Sequence, residues 1–315
     1  MAIAVEINEY VELVGIIADL SGCVSYKCKN KEINEYFSSY KKHPAVKAVK
    51  HLCGENINTL VSLSSLLEYK RGKFVLRKES ICLRKSDEIL VLLADFYKVS
   101  SFHKFFKQMS GFYGEAKAQW ENLLSSFNED WFKFFFGNNE QEDFSVIVSS
   151  ILNRLVISSK KDVIVSEFVG DILTIIRAFC HIYIDPFLCG SDKRQEILQP
   201  CADKILSFSK WAMRQQGYDD WRVLLNEYIV RAVANVYMQE NNFTKQDIRN
   251  DIMDNIGRGF YLMPELVGYL NKYRYCRDKF KNFGEFYFEL AKFFSSHIEK
   301  EIKRVDDIVS VILEV

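Results

Sequence analysis

Arg177 and His181 lie four residues apart in the stretch Asp171–Leu188, DILTIIRAFCHIYIDPFL. On an α-helix that spacing puts both side chains on one face. Two ligands so placed are how a helix holds a metal ion, with a carboxylate beside the first to activate bound water. Only half of that chemistry is present here. His181 is a metal-ligand type, but a guanidinium keeps its protons, cannot coordinate, and repels a cation. Ala178 stands where the carboxylate would be. Cys180 is also a ligand type, yet it points about 100° away from His181 around the helix. The plainer reading makes His181 an interior histidine with its hydrogen bonds satisfied and Cys180 a buried thiol.

Other constellations are weaker. Cys23, Cys28, His51 and Cys53 are ligand types, but C-x4-C is loose and H-x-C splits across two helix faces; core thiols and an ordinary histidine are preferred. Phe102, Phe105, Phe106, Phe112 and Tyr113, with the aromatic run at 131–136, would suit a planar cofactor or a sugar; core packing accounts for them. YKRGK at 69–73 reads as a solvated turn. GRGFYL at 257–262 reads as a loop into a helix. No GxxxxGK[ST], no GxGxxG after a strand and no GxSxG occurs, so nucleotide and serine-hydrolase chemistry have no support.

The chain that must position these residues has 315 residues, 48% hydrophobic and 14% aromatic, enough for a sizeable core. Lysine plus arginine equals aspartate plus glutamate at 42 each, which argues against nucleic acid as a partner. Four prolines and 14 glycines argue against disorder. The eight cysteines match no small disulfide scaffold, and most read as buried thiols. No signal peptide is evident at the start, where acids occupy the place of a basic region. No apolar run is long enough to span a membrane; 171–190 is broken by Arg177, His181 and Asp185.

Helical periodicity covers 6–20, closed by Ser21-Gly22, then 31–42, 45–53, 57–68, 87–107 and 110–127. KFVLR at 73–77 is a strand candidate. WFKFFFG at 131–137 is an aromatic cluster ended by Gly137. FSVIVSSI (144–151) and DVIVSEFV (162–169) are the best strands, and Gly170 leads from the second into the helix at 171–188. Pro186 limits that helix. Five helices follow, at 192–215, 221–240, 244–256, 262–275 and 283–304, with Thr244 as an N-cap; 306–315 is a strand or a helix continuation.

RAFCHIYIDP (177–186), NEYIVRA (226–232), DFYKVSSFHKFF (95–106) and WFKFFFG, in their order along the chain, carry a resemblance. The chain resembles a bacterial family, frequent in gut bacteria and described mostly as a domain of unknown function, whose members look like HExxH zinc metallopeptidases. Its core reads roughly HEFxHxFxNP, followed by NExxVRA on a later helix. The resemblance implies that His181 and Glu227 stand at two zinc-ligand positions, that Arg177 replaces the first histidine and Ala178 the general base, and that Asp185 replaces an asparagine.

The fold expected is α+β, predominantly helical and zincin-like, with a small mixed sheet next to the central helix. One domain is expected over 1–315: an N-terminal lobe to about 170, the central helix at 171–188 and a helical C-terminal lobe from 189. The function expected is that of a catalytically inactive metallopeptidase homologue binding a peptide or protein in the remnant cleft. No metal or cofactor and no nucleic acid is expected. Arg177 is expected to fill the vacated site and pair with Glu227. The alternatives are a working peptidase with zinc on Cys180, His181 and Glu227, and a purely structural helical protein. The resemblance also implies export or a cell-envelope location.

Overall fold

The computed structural model describes residues 3–23, 30–52, 55–76, 86–137, 145–150, 156–158, 162–166, 171–188 and 193–313. Cys28, Cys53, Cys82, Cys189, Gly54, Gly170 and the ends of several expected strands lie outside them, and with Cys28 and Cys53 half of the candidate group Cys23, Cys28, His51 and Cys53. The elements run in the order β1 (Ala4–Ile7), α1 (Glu9–Ser21), α2 (Lys31–Phe37), α3 (Pro44–His51), α4 (Glu55–Ser64), β2 (Leu67–Lys70), β3 (Lys73–Leu76), α5 (Ser86–Val99), α6 (Phe102–Gln108), α7 (Ser110–Leu124), α8 (Glu129–Phe136), β4 (Ser145–Ser149), β5 (Val156–Ser158) and β6 (Asp162–Ser166). There follow α9 (Ile172–Leu188), α10 (Lys193–Phe208), α11 (Lys210–Gln215), α12 (Trp221–Glu240), α13 (Lys245–Gly257), α14 (Met263–Arg274) and α15 (Phe283–Leu313). The fold is the predominantly helical α+β class expected, and the tail continues as helix.

The chain divides into two compact units, Met1–Phe127 with Glu142–Thr174, and Asn128–Gln141 with Ile175–Val315. In the first, a mixed sheet has the order β1-β4-β6-β5, parallel except for the β5–β6 pair. The helix expected over 6–20 starts later. Asn8 accepts from the amides of Tyr10 (2.9 Å) and Val11 (3.1 Å) and caps α1 at residue 9. Residues 4–7 are left extended, and Val5 aligns with Val146. Similarly, the helix expected to 68 stops at Ser64, because Leu67–Lys70 pairs with β3. Arg71 and Gly72 both have positive φ (49° and 81°), as a two-residue hairpin turn requires. The helix expected over 87–107 breaks at Ser100–Ser101. The Ser100 hydroxyl bonds back to the Phe96 carbonyl at 2.6 Å, and Ser101 is left-handed.

Val11, Leu13, Val14, Ile16 and Ile17 of α1 pack in this unit's core with Phe37, Phe96, Phe102 and Phe105. Glu12 is buried with them. It accepts hydrogen bonds from the Ser149 hydroxyl (2.9 Å), the Ser150 amide (3.1 Å), the Ser150 hydroxyl and Tyr113 (3.3 Å). Burial raises its pKa despite these bonds. The expectation of thiols holds for Cys180, Cys201 and Cys276, which are free, the first two buried. Cys23 departs from it, being disulfide-bonded.

The second unit is helical. α8 joins it because its aromatic face packs there: Phe136 stacks on Tyr183 at 4.7 Å, Phe132 lies 5.5 Å from Phe179, and Trp131 meets Tyr237 edge-on at 5.1 Å. The Trp131 indole donates to Glu240 at 2.6 Å, so its one polar atom is satisfied. Each such aromatic side chain contributes roughly 1.5–3 kcal/mol by leaving water. Gly137 closes α8 with a left-handed cap.

Candidate functional site

α9 is apolar on most of its surface. Ile175, Ile176, Ala178, Phe179, Cys180 and Ile184 are fully buried. Arg177 and His181 share the partly exposed face, as their spacing requires. α12 is held by its N-cap Asp220, which accepts from the Arg222 amide at 2.7 Å, and nearly every residue from Tyr228 to Met238 is buried. One polar stripe crosses it at helical spacing: Glu227, Arg231 and Asn235. α13 presents Asp251 and Asn255, again four apart and both buried. Its start is fixed by a capping box between Thr244 and Asp247, which confirms Thr244 as the cap.

These stripes close into one polar chain. The Asn226 amide donates to Asp185 Oδ1 at 2.6 Å, and His181 Nδ1 lies 2.9 Å from the same oxygen. His181 Nε2 is 3.3 Å from Glu227 Oε1, and Arg231 Nε donates to Glu227 Oε2 at 2.9 Å. Arg231 continues through Nη1 to Asn255 Oδ1 at 2.8 Å and through Nη2 to the Tyr218 hydroxyl at 3.4 Å. The amides of Asn255 (2.9 Å) and Asn235 (2.6 Å) both donate to Asp251 Oδ2. Asp251 Oδ1 accepts from Arg177 Nη2 at 2.5 Å. Among the described residues, protonated His181, Arg177 and Arg231 face the carboxylates of Asp185, Glu227 and Asp251.

The electrostatics follow from that pairing. Burial alone would lower the His181 pKa, but the bonds to Asp185 and Glu227 outweigh it and hold it at about 9. Burial likewise opposes ionisation of Glu227, yet His181 and Arg231 take it down to about 2. Burial pushes the Cys180 thiol well above its usual range, against a smaller opposing effect of Arg177.

The expected Arg177–Glu227 pair is corrected here: the carboxylate that Arg177 meets is Asp251, and Glu227 is taken by His181 and Arg231. The physical reason is supply. Arg231, one turn along α12, already neutralises Glu227, while the buried Asp251 needs a cation. Ala178 has no exposure and brings nothing polar to the site. Sequence reasoning missed Asp251, Asn255, Asn235 and Tyr218. The i, i+4, i+8 polar stripe on the otherwise apolar α12 was the available signal.

A ligating histidine must offer a lone pair, whereas both nitrogens of His181 face carboxylates and its pKa keeps it protonated. Cys180 is a neutral buried thiol. Among the described residues no group of three or more His, Cys, Asp or Glu side chains is placed to hold a metal. No helix among them is long and apolar enough to cross a membrane.

Comparison with curated proteins and with solved structures returns no match. The model of a family described as a domain of unknown function (DUF4932) matches residues 90–293, which include every residue of the polar chain. That is more than half of the sequence, and the chain belongs to this family.

Proposed function

We propose that the chain is a catalytically inactive relative of HExxH zinc metallopeptidases that acts by binding a peptide or protein. The observation that carries this is the 3.3 Å between His181 Nε2 and Glu227 Oε1, on two different helices. Two ligands of a tetrahedral zinc, each bonded at about 2.1 Å, stand about 3.4 Å apart. The spacing thus suits two retained ligand positions, although a proton now joins the two atoms. The first ligand position holds Arg177, turned to Asp251, and the general-base position holds the buried Ala178. With no carboxylate at 178, no residue of the motif activates water. With the water-activating carboxylate missing from the motif, binding is the role to test. The Cys23 disulfide fits an oxidising compartment, in favour of export.

Two measurements test the reading. Elemental analysis of the purified, untagged chain after dialysis should give less than about a tenth of an equivalent of zinc; near one equivalent overturns inactivity. The combined variant Arg177→His, Ala178→Glu and Asp251→Asn, which avoids stranding a carboxylate, should bind about one equivalent through the rebuilt ligand set. A folded variant that takes up no zinc removes the metallopeptidase ancestry. The binding role is tested with a defined peptide library on the intact wild-type chain. No peptide enriched over a heat-denatured control would sink it.

A further inference from the structure

From the last turn of α14 into the connection to α15 the chain reads KYRYCRDKFK at 272–281, five basic residues against one acid in a chain of zero net charge. Part of this charge is structural. Arg274 pairs with Glu240 and lies 5.4 Å over the Tyr275 ring. Arg277 donates to the Phe135 carbonyl at 2.8 Å and the Lys281 carbonyl at 2.7 Å, and it lies 5.8 Å over the Phe134 ring. These two arginines fasten the segment and hold two aromatic rings at the surface: Tyr275 is 79% exposed and Phe134 64% exposed. Lys272, Lys279 and Lys281 of the segment are exposed, as is its one acid, Asp278. Lys272 also complements the C-terminus of α14, as last-turn cations do. Lys279 lies 4.9 Å over the Phe280 ring. The helix end accounts neither for the exposed charge of Lys279 and Lys281, which lie beyond it, nor for two large rings left in water.

We propose that this segment, through the exposed rings of Phe134 and Tyr275 and the exposed Lys272, Lys279 and Lys281, docks on an anionic lipid surface. The chemistry of the face selects the partner. Aromatic rings with a polar or cationic rim settle at the headgroup level of a bilayer. Lysines beside them gain from the negative surface potential. The arginine fastening presents the rings without a binding-induced rearrangement, and a planar lipid surface needs no pocket to receive them. An acidic peptide would use the lysines but gives the two exposed rings no defined seat.

The test is co-sedimentation of the full chain with vesicles of phosphatidylglycerol in phosphatidylcholine, compared with phosphatidylcholine alone. Binding is expected only with the anionic lipid and should fall as salt rises. Each lysine reversed to glutamate should weaken binding at least about fivefold, and K272E/K279E/K281E more than about a hundredfold. Phe134→Ser with Tyr275→Ser should weaken it while leaving its salt dependence in place. Lys104→Glu with Lys107→Glu, on α6 of the other unit, should change nothing. No binding to the anionic vesicles, equal binding to neutral ones, or an unchanged triple variant overturns the proposal. So does saturable binding of a poly-glutamate peptide with the vesicles inert.

Discussion

His181 offers the sharpest quantitative test of the polar chain. Its imidazole sits between Asp185 (2.9 Å) and Glu227 (3.3 Å), and its side chain is only 17% exposed. Its pKa is held at about 9, against an ordinary 6.5. At about 1.4 kcal/mol per pH unit, that difference is worth roughly 3 kcal/mol of folding stability. The same contact holds Glu227 low, so the two are counted once. The sign follows from a folded-state pKa above the unfolded one: the stabilisation is complete below pH 6.5 and is lost as pH rises towards 9. Urea unfolding can be followed by tryptophan fluorescence. Trp131, Trp211 and Trp221 all lie in the second unit. Between pH 6.5 and 9 the wild type should lose about 3 kcal/mol more than His181→Gln, which has no proton to lose. Subtracting the variant cancels thiols and other groups titrating in that window. A variant that keeps the wild-type slope, or an NMR titration of His181 with its midpoint at or below 6.5, would refute the assignment of His181 as the cation facing Glu227.

Three other perturbations follow from contacts elsewhere in the polar chain, at the α8 cap and at Glu12. Asp251→Ala removes an acceptor that Arg177, Asn235 and Asn255 share; it should cost about 3–5 kcal/mol, and Asp251→Asn clearly less, by urea unfolding. Gly137→Ala puts a Cβ 2.6 Å from the Lys281 carbonyl oxygen at a φ of +69°; it should cost more than about 2 kcal/mol, and an unchanged Tm would contradict the described cap. Glu12 has its folded pKa raised above 4.5 by burial, so the first unit should lose stability as pH climbs above that value. Glu12→Gln should lack that loss when the exchange rates of β1 and β4 amides are compared across pH.

Much of the fold was legible because local chemistry agreed with the tertiary outcome. The β-branched runs became β4 and β6, Thr244 capped α13, Gly137 ended α8, and Arg71-Gly72 made the hairpin turn. Misreadings fell where a distant partner overrode local periodicity. Residues 4–7 continue a helical pattern but pair with β4, and 67–68, expected as the end of a helix, pair with β3. The Ser100–Ser101 break was within reach, since paired serines compete for backbone hydrogen bonds.

The candidate site divides along the same line. Sequence by itself determined that Arg177 and His181 share a helix face, that position 178 carries no carboxylate, and that Glu227 lies on a long apolar helix. Each is a matter of residue type and 3.6-residue periodicity. Only the tertiary structure decided the pairing, because it depends on which helices pack together. It gave Arg177 to Asp251 on α13 and left Glu227 to His181 and Arg231. A buried charge takes the partner that packing brings within hydrogen-bonding distance, and Asp251 lies 74 residues along the chain from Arg177, beyond the reach of any local pattern.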